Sequence, residues 1–134
     1  MLKEKAVADV LDQVRSNGIE GAFLIDREGL LLAKSTYDEG PDGSGDPSIS
    51  AALISYTWDT FERQEVLEGL NELTIEFEKG TFVVKRIANM LLVLKASAEA
   101  PLGAVHQKKK ALVDYLRTPL SVVSNLQIQS DIAG

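Results

Sequence analysis

The chain of 134 residues contains no cysteine and a single histidine, His106. The lack of cysteine excludes disulfides, thiolate zinc sites and thiol nucleophiles. The histidine is followed by Gln107 and Lys108 on a predicted helix, which is typical of a solvated side chain rather than a catalytic base. The spacing patterns of zinc sites, calcium sites and serine-hydrolase elbows are missing as well. We therefore expect no enzymatic activity and no bound metal or cofactor.

Long apolar runs and an excess of positive charge are also missing. The densest apolar stretch, Met90–Ala98, is interrupted by Lys95 and is much shorter than the roughly 20 residues of a membrane span. The N-terminus has no apolar core and begins Met1-Leu2, so we expect neither a signal peptide nor myristoylation. A net charge of -6 disfavours nucleic acid as a partner. Any attachment to a membrane is therefore expected to be indirect.

The remaining composition is that of a globular domain, with 45% apolar and 25% charged residues. A chain of this length buries enough surface to fold without a covalent or metal staple. We expect one domain over residues 1–120. Residues 121–134 are expected to form a C-terminal tail that adds a short helix and then frays.

Apolar periodicity predicts three helices. The first ends at Asn17-Gly18, the second runs from Pro47 to Val66, and the third starts at Pro101. The apolar faces of the first and third helices comprise Val7, Val10, Leu11 and Val14, and Val105, Leu112, Val113 and Leu116.

Five short apolar runs predict strands, separated by turns rich in Gly, Asp and Asn. They are Ile19–Ile25, Leu30–Ala33, Leu73–Phe77, Thr81–Ile87 and Met90–Leu94. Short connections favour antiparallel pairing. Since the last run is apolar on both faces, helices must cover both faces of the sheet. The fold class predicted is therefore α/β, a three-layer α/β/α sandwich in the order α-β-β-α-β-β-β-α.

The second helix is more apolar than packing on one sheet requires. Leu53 and Tyr56 lie on one side, and Ile54, Trp58 and Phe61 lie on an adjacent side, which indicates a second packing surface. The strand that follows this helix is predicted at the edge of the sheet, where another chain can add a strand. Tryptophan is a frequent interface anchor. The alternative interpretation is that Trp58 belongs to the core.

Three charged segments are candidate binding or catalytic sites. The loop Asp38–Ser48 lies between a strand and a helix, as phosphate-binding loops do, but its acidic residues and the missing Lys-Ser/Thr pair favour a flexible connector. The run Lys108–Lys110 fans around its helix, which favours a solvated face over a weak contact with acidic lipid or an acidic partner. Glu72, Glu76 and Glu78 share one strand face and are interpreted as solvent-facing or interface charges rather than as an acid–base pair.

Several motifs extend over nearly the whole chain. They include Arg86-Ile87-Ala88-Asn89-x-Leu91-Leu92, Ala111-Leu112-Val113-x-Tyr115-Leu116-x-x-Pro119-Leu120 and Ala51-Ala52-x-Ile54-Ser55-x-x-Trp58. With this order of elements, the chain resembles the roadblock/LC7 family, and within it the roadblock subunits of Ragulator-type complexes. The resemblance implies a profilin-like sandwich with a five-stranded antiparallel sheet and no catalytic activity.

The resemblance also implies partners. Family members pair by joining edge strands while their middle helices pack together. Ragulator-type subunits pair with a second roadblock protein (MP1-like) and are wrapped by a lipidated scaffold subunit on the cytoplasmic face of late endosomes or lysosomes. There they recruit Rag-type GTPases, mTOR complex 1 and MAP-kinase signalling. The partner interface carried onto this sequence comprises Ala51, Ile54, Ser55, Trp58, Leu73, Ile75 and Phe77.

Two alternatives remain open. The first is that the chain is another kind of roadblock protein, either a dynein-type light chain or a self-pairing regulator of a small GTPase. A light chain would bind dynein, and a self-pairing regulator would form a stable homodimer. A third hypothesis, from another class, is an enzyme that uses the acidic loop or the face of Glu72 and Glu76.

Overall fold

The structure, a computed structural model, describes residues 4–13, 18–35, 47–64, 69–78 and 80–116. The predicted order of three helices and five strands is confirmed. The elements are α1 (Glu4–Asp12), β1 (Ile19–Asp26), β2 (Leu31–Lys34), α2 (Pro47–Glu62), β3 (Glu72–Phe77), β4 (Gly80–Ile87), β5 (Met90–Ser97) and α3 (102–116). Val14, Asn17, most of the acidic loop, Thr118-Pro119 and the tail 121–134 lie outside the described residues.

All five strands form one antiparallel sheet in the order β2-β1-β5-β4-β3. The strand that is apolar on both faces, β5, lies at the centre, as expected. The edges are β2 and β3, so the predicted edge position of β3 is confirmed.

Side chains that alternate along β5 build two separate cores, one on each face of the sheet. Leu92 and Leu94 point toward α1 and α3, and Leu91 and Val93 point toward α2. All four side chains are fully buried. The predicted three-layer α/β/α sandwich is therefore confirmed.

The turn between β1 and β2 forms as its sequence predicts. Asp26 Oδ1 accepts hydrogen bonds from the backbone amides of Glu28 and Leu30, each at 2.9 Å. Gly29 has φ +91°, a conformation that is strained for residues with a side chain. This turn lies under α2, where a Cβ on Gly29 would come within 3.2 Å of the Cβ of Ser55.

The second helix begins at Pro47, as predicted, but ends at Glu62 rather than Val66. Its last turn tightens, because the amide of Gln64 bonds the carbonyl of Phe61 at 3.2 Å instead of continuing the α-helical pattern. Val66 itself lies outside the described residues. None of the described helices combines the length and apolar composition that crossing a lipid bilayer requires.

Candidate partner-binding surface

The inward face of α2 packs on the chain's own sheet. Ala51, Ile54, Ser55 and Trp58 are all buried, and Trp58 and Ile54 are 0% and 2% exposed. Their apolar neighbours across the interface come from β1, β4 and β5 and include Phe23, Ile25, Val84, Leu91 and Val93. In the single chain these four helix residues are core, which for Trp58 is the alternative that the sequence left open.

The outward face of α2 is also apolar. Leu53 is 64% exposed, Tyr56 is 75% exposed, and Ile49 lies on the same side at 60%. These positions recur every three to four residues, so they form one stripe on the side of the helix opposite Ala51 and Trp58. Large exposed apolar side chains that form a contiguous stripe mark an interaction surface.

A polar network anchors the end of α2 to the β1–β2 turn. Glu62 accepts a hydrogen bond from the indole Nε1 of Trp58 at 2.6 Å and forms an ion pair with Arg27. The hydroxyl of Ser55 donates to the carbonyl of Arg27 at 3.0 Å. Burial alone would raise the pKa of Glu62, but the hydrogen bonds from Arg27 and Trp58 and the nearby positive charges hold the pKa below its ordinary value. The outward stripe is thus carried on a helix with a fixed orientation.

The apolar side of β3 faces the same side of the sheet as α2. Leu73 and Ile75 are only half-buried, and Phe77 is 38% exposed. The ring of Phe77 stacks on Phe82 with centroids 5.0 Å apart. Although Leu73 and Ile75 pack against the core cluster under α2, the β3 end of this face keeps apolar surface that no described helix covers.

The backbone of β3 offers hydrogen-bonding groups to a further strand. The amide of Arg86 donates to the carbonyl of Asn71 at 2.9 Å, and the register pairs Glu72 with Lys85. In an antiparallel pair, hydrogen-bonded positions alternate, so residues 73, 75 and 77 bond β4. The backbone groups of Glu72, Thr74 and Glu76 therefore point toward the open edge, where no other described strand lies.

The opposite side of β3 is charged and is tied to α3. Glu72 forms an ion pair with Lys109 and lies 3.8 Å from Nδ1 of His106. Glu76 and Glu78 are exposed. Glu72 is therefore paired with a cation rather than with a second carboxylate. Among the described residues, no group of three potential metal ligands comes together.

The seven predicted interface residues thus separate into two sets. The β3 residues Leu73, Ile75 and Phe77 lie at the open edge and keep exposed area, whereas the four α2 residues are turned inward. The predicted helix residues lie beside the exposed stripe rather than in it. Ile54, which was predicted, is buried, whereas its neighbour Leu53 is exposed. The single chain does not test the interface, which stays a prediction.

Sequence reasoning also missed the contacts of Glu62. Arg27 and Glu62 are 35 residues apart, so no local pattern connects them. The only available signal was the spacing of four residues between Trp58 and Glu62, which puts both side chains on one helix face.

The fold is that of a five-stranded antiparallel sheet between helical layers. The family model for the Roadblock/LC7 domain matches residues 5–96, and the chain belongs to this family. It is 37% identical over 126 residues to the Ragulator complex protein LAMTOR2 homolog of Caenorhabditis elegans, an alignment that covers 93% of this chain and 98% of that protein.

Two bacterial proteins of known structure share this fold. Myxococcus xanthus MglB superimposes with a TM-score of 0.75 at 17% identity, covering 91% of this chain and 94% of that chain. A Roadblock/LC7 domain from Streptomyces avermitilis superimposes with a TM-score of 0.68 at 21% identity, covering 85% and 94%. At these identities the likeness establishes the shared fold.

Proposed function

We propose that this chain is a non-catalytic adaptor subunit of a Ragulator-type complex, in which it pairs with a second roadblock protein. The observation that carries this proposal is a pair of surfaces that the described residues leave uncovered, the outward stripe of α2 (Ile49, Leu53 and Tyr56) and the open edge of β3. The 37% identity to a Ragulator complex protein over nearly its full length supports the type of complex.

The two surfaces suggest how the partner binds. Its edge strand runs along β3 and takes up the backbone groups of Glu72, Thr74 and Glu76, which extends the sheet from one chain into the other. Its second helix packs on Leu53 and Tyr56. Both contacts remove apolar surface from water, and the strand pairing fixes the register of the two chains.

The finer parts of the proposal extend from the resemblance to Ragulator-type subunits. The pair binds a lipidated scaffold subunit, which holds it on the cytoplasmic face of late endosomes or lysosomes. There the complex recruits Rag-type GTPases and, through them, mTOR complex 1 and MAP-kinase signalling.

Affinity purification of the tagged full chain from its own cells, with identification of the bound proteins by mass spectrometry, tests this proposal. We expect a second roadblock protein, a lipidated scaffold and Rag-type GTPases. The substitution Leu53→Asp removes them, because a carboxylate placed in an apolar contact loses its hydration. Leu30→Asp is the matched control, since Leu30 has the same residue type and the same 64% exposure as Leu53 but lies in the β1–β2 turn.

Other outcomes separate the alternatives. Recovery of dynein chains would assign the protein to the dynein-type light chains. A stable homodimer in light scattering, together with a different small GTPase in the purification, would assign it to the self-pairing regulators. If Leu53→Asp and Leu30→Asp recover the same proteins as the unchanged chain, the α2 surface is not the partner surface.

A further inference from the structure

A second candidate site lies on the opposite face of the sheet from α2. It is a depression of about 590 Å³ between β4 and α3. The titratable side chains that line it come from both elements and are Lys85, His106, Lys109, Lys110 and Asp114. Three lysines and a histidine therefore converge on one place in a chain whose net charge is -6.

Two of the lysines form no ion pair within the described part of the chain, although Lys85 lies across from Glu72 in the strand register. Lys109 is neutralised by Glu72, but neither Lys85 nor Lys110 has an ion-pair partner among the described residues. Lys85 is half-buried on the sheet, which keeps its side chain beside the depression that it lines.

The lysine run Lys108–Lys110 does fan around its helix, as the sequence predicts. The structure adds that Lys109 and Lys110 turn to the side where Lys85 lies, whereas Lys108 lines a separate depression between α1 and α3. The convergence depends on β4 and is therefore invisible in the sequence of α3 alone.

We propose that the depression between β4 and α3 binds a phosphate-bearing ligand, with Lys85 and Lys110 donating to its phosphate oxygens. Lysine binds phosphate as a compact point charge and needs no fixed fork geometry. Because Lys85 lies on β4 and Lys110 on α3, their ammonium groups approach the depression from two sides. This arrangement suits a small ligand that carries more than one negative charge. Glu72 keeps Lys109 at the wall of the depression as a neutral ion pair, and the carboxylate of Asp114 repels the ligand from its own side of the site.

This site does not depend on the proposed pairing. The outward stripe of α2 lies on the other side of the sheet, and none of the residues that line the depression belongs to α2 or β3. The loss of one function therefore leaves the other measurable.

The first experiment titrates the ¹⁵N-labelled full chain with inorganic phosphate at constant ionic strength and follows the backbone amide shifts. We expect saturable shifts at Lys85, His106 and Lys110. Lys110→Gln weakens binding by about tenfold, the effect of losing one charge-assisted hydrogen bond. Lys108→Gln is the matched control, because it removes the same charge two residues away and outside the depression, and its affinity stays within about twofold.

Lys85→Gln is the second variant and is expected to weaken phosphate binding at least as much as Lys110→Gln. Because Lys85 is half-buried, its thermal melt is recorded alongside. The exposed Lys110 keeps the proposal testable if Lys85→Gln does not fold.

Vesicles distinguish the source of the phosphate. Flotation with phosphatidylcholine vesicles that contain a monophosphorylated phosphatidylinositol would identify a lipid headgroup as the ligand. This flotation should be lost in Lys110→Gln, and it should not occur when phosphatidylserine replaces the phosphorylated lipid. Phosphate binding without flotation would identify a soluble phosphate ester. Shifts that do not saturate, equal weakening by Lys108→Gln and Lys110→Gln, or binding of a phosphopeptide but not of inorganic phosphate would overturn the proposal.

Discussion

Neighbouring positions on α2 should respond in opposite ways to the same truncation. Leu53 is 64% exposed and Ile54 is 2% exposed, although the two side chains have the same number of carbons. Replacing each with alanine therefore separates the outward stripe from the core.

The expected stabilities follow from burial. Ile54→Ala removes buried atoms from the core under α2 and leaves a cavity, which lowers the free energy of unfolding by about 2–5 kcal/mol. Leu53→Ala removes atoms that are mostly in water, and alanine is a good helix former, so the change stays within about 0.5 kcal/mol. Urea unfolding followed by fluorescence measures both, because Trp58 is the only tryptophan and is fully buried.

Partner binding should show the reverse order. Leu53→Ala weakens binding of the second roadblock protein by about tenfold or more, as expected for an apolar residue central to an interface. Ile54→Ala keeps the affinity of the unchanged chain once the unfolded fraction is taken into account. Isothermal titration with the purified partner gives both values.

Two results would refute the reasoning. A loss of stability in Leu53→Ala as large as in Ile54→Ala, measured on the isolated chain and independent of protein concentration, would mean that Leu53 is part of the core. Full partner affinity in Leu53→Ala, with lost affinity in stably folded Ile54→Ala, would return the interface to the residues predicted from the sequence. The concentration series is needed because self-association links stability to concentration.

Four further substitutions test other parts of the structure. Thr74→Pro removes a donor that points to the open edge and should prevent pairing with the partner in size-exclusion chromatography, while Ile75→Pro removes a donor to β4 and should lower the melting temperature of the single chain. Glu62→Gln should lower the free energy of unfolding at neutral pH by about 1 kcal/mol. The pKa of Glu62 is held below its ordinary value, so the unfolded chain takes up this proton first as the pH falls. The difference in stability between the two proteins should therefore shrink as the pH falls through the lowered pKa, and a difference that grows in acid urea titrations would contradict this. Ala88→Gly should raise stability by up to about 1 kcal/mol, because Ala88 has φ +54°, and a lower calorimetric melting temperature would count against strain at this turn.

The sheet was predictable because its strands carry strong local patterns. The alternation from Leu73 to Phe77 predicts one covered and one charged face, and the structure has the apolar residues on the α2 side and Glu72 on the α3 side. The run from Met90 is apolar at every position, which predicts the central strand β5. The turn glycine Gly29 has the positive φ that its position requires.

The charged contacts could not be predicted in the same way. Lys109 reaches Glu72 across 37 residues of chain, and Arg27 reaches Glu62 across 35. Such pairs depend on the final positions of whole elements, so no short pattern encodes them. The position of Lys85 beside α3 likewise depends on how β4 and α3 pack together.

The orientation of α2 was the least predictable feature, and the reason lies in the helix itself. Periodicity locates the buried face of a helix by contrast with a polar face, but α2 is apolar on both sides. Its small residues held the missing information. Ser55 approaches Gly29 so closely that a Cβ there would have only 3.2 Å, so the side of the helix with small residues faces the β1–β2 turn. The large side chains Leu53 and Tyr56 are then left outside, where no described part of the chain packs on them. An apolar stripe that the described residues leave uncovered, together with an open strand edge, is best explained by a second chain that uses both.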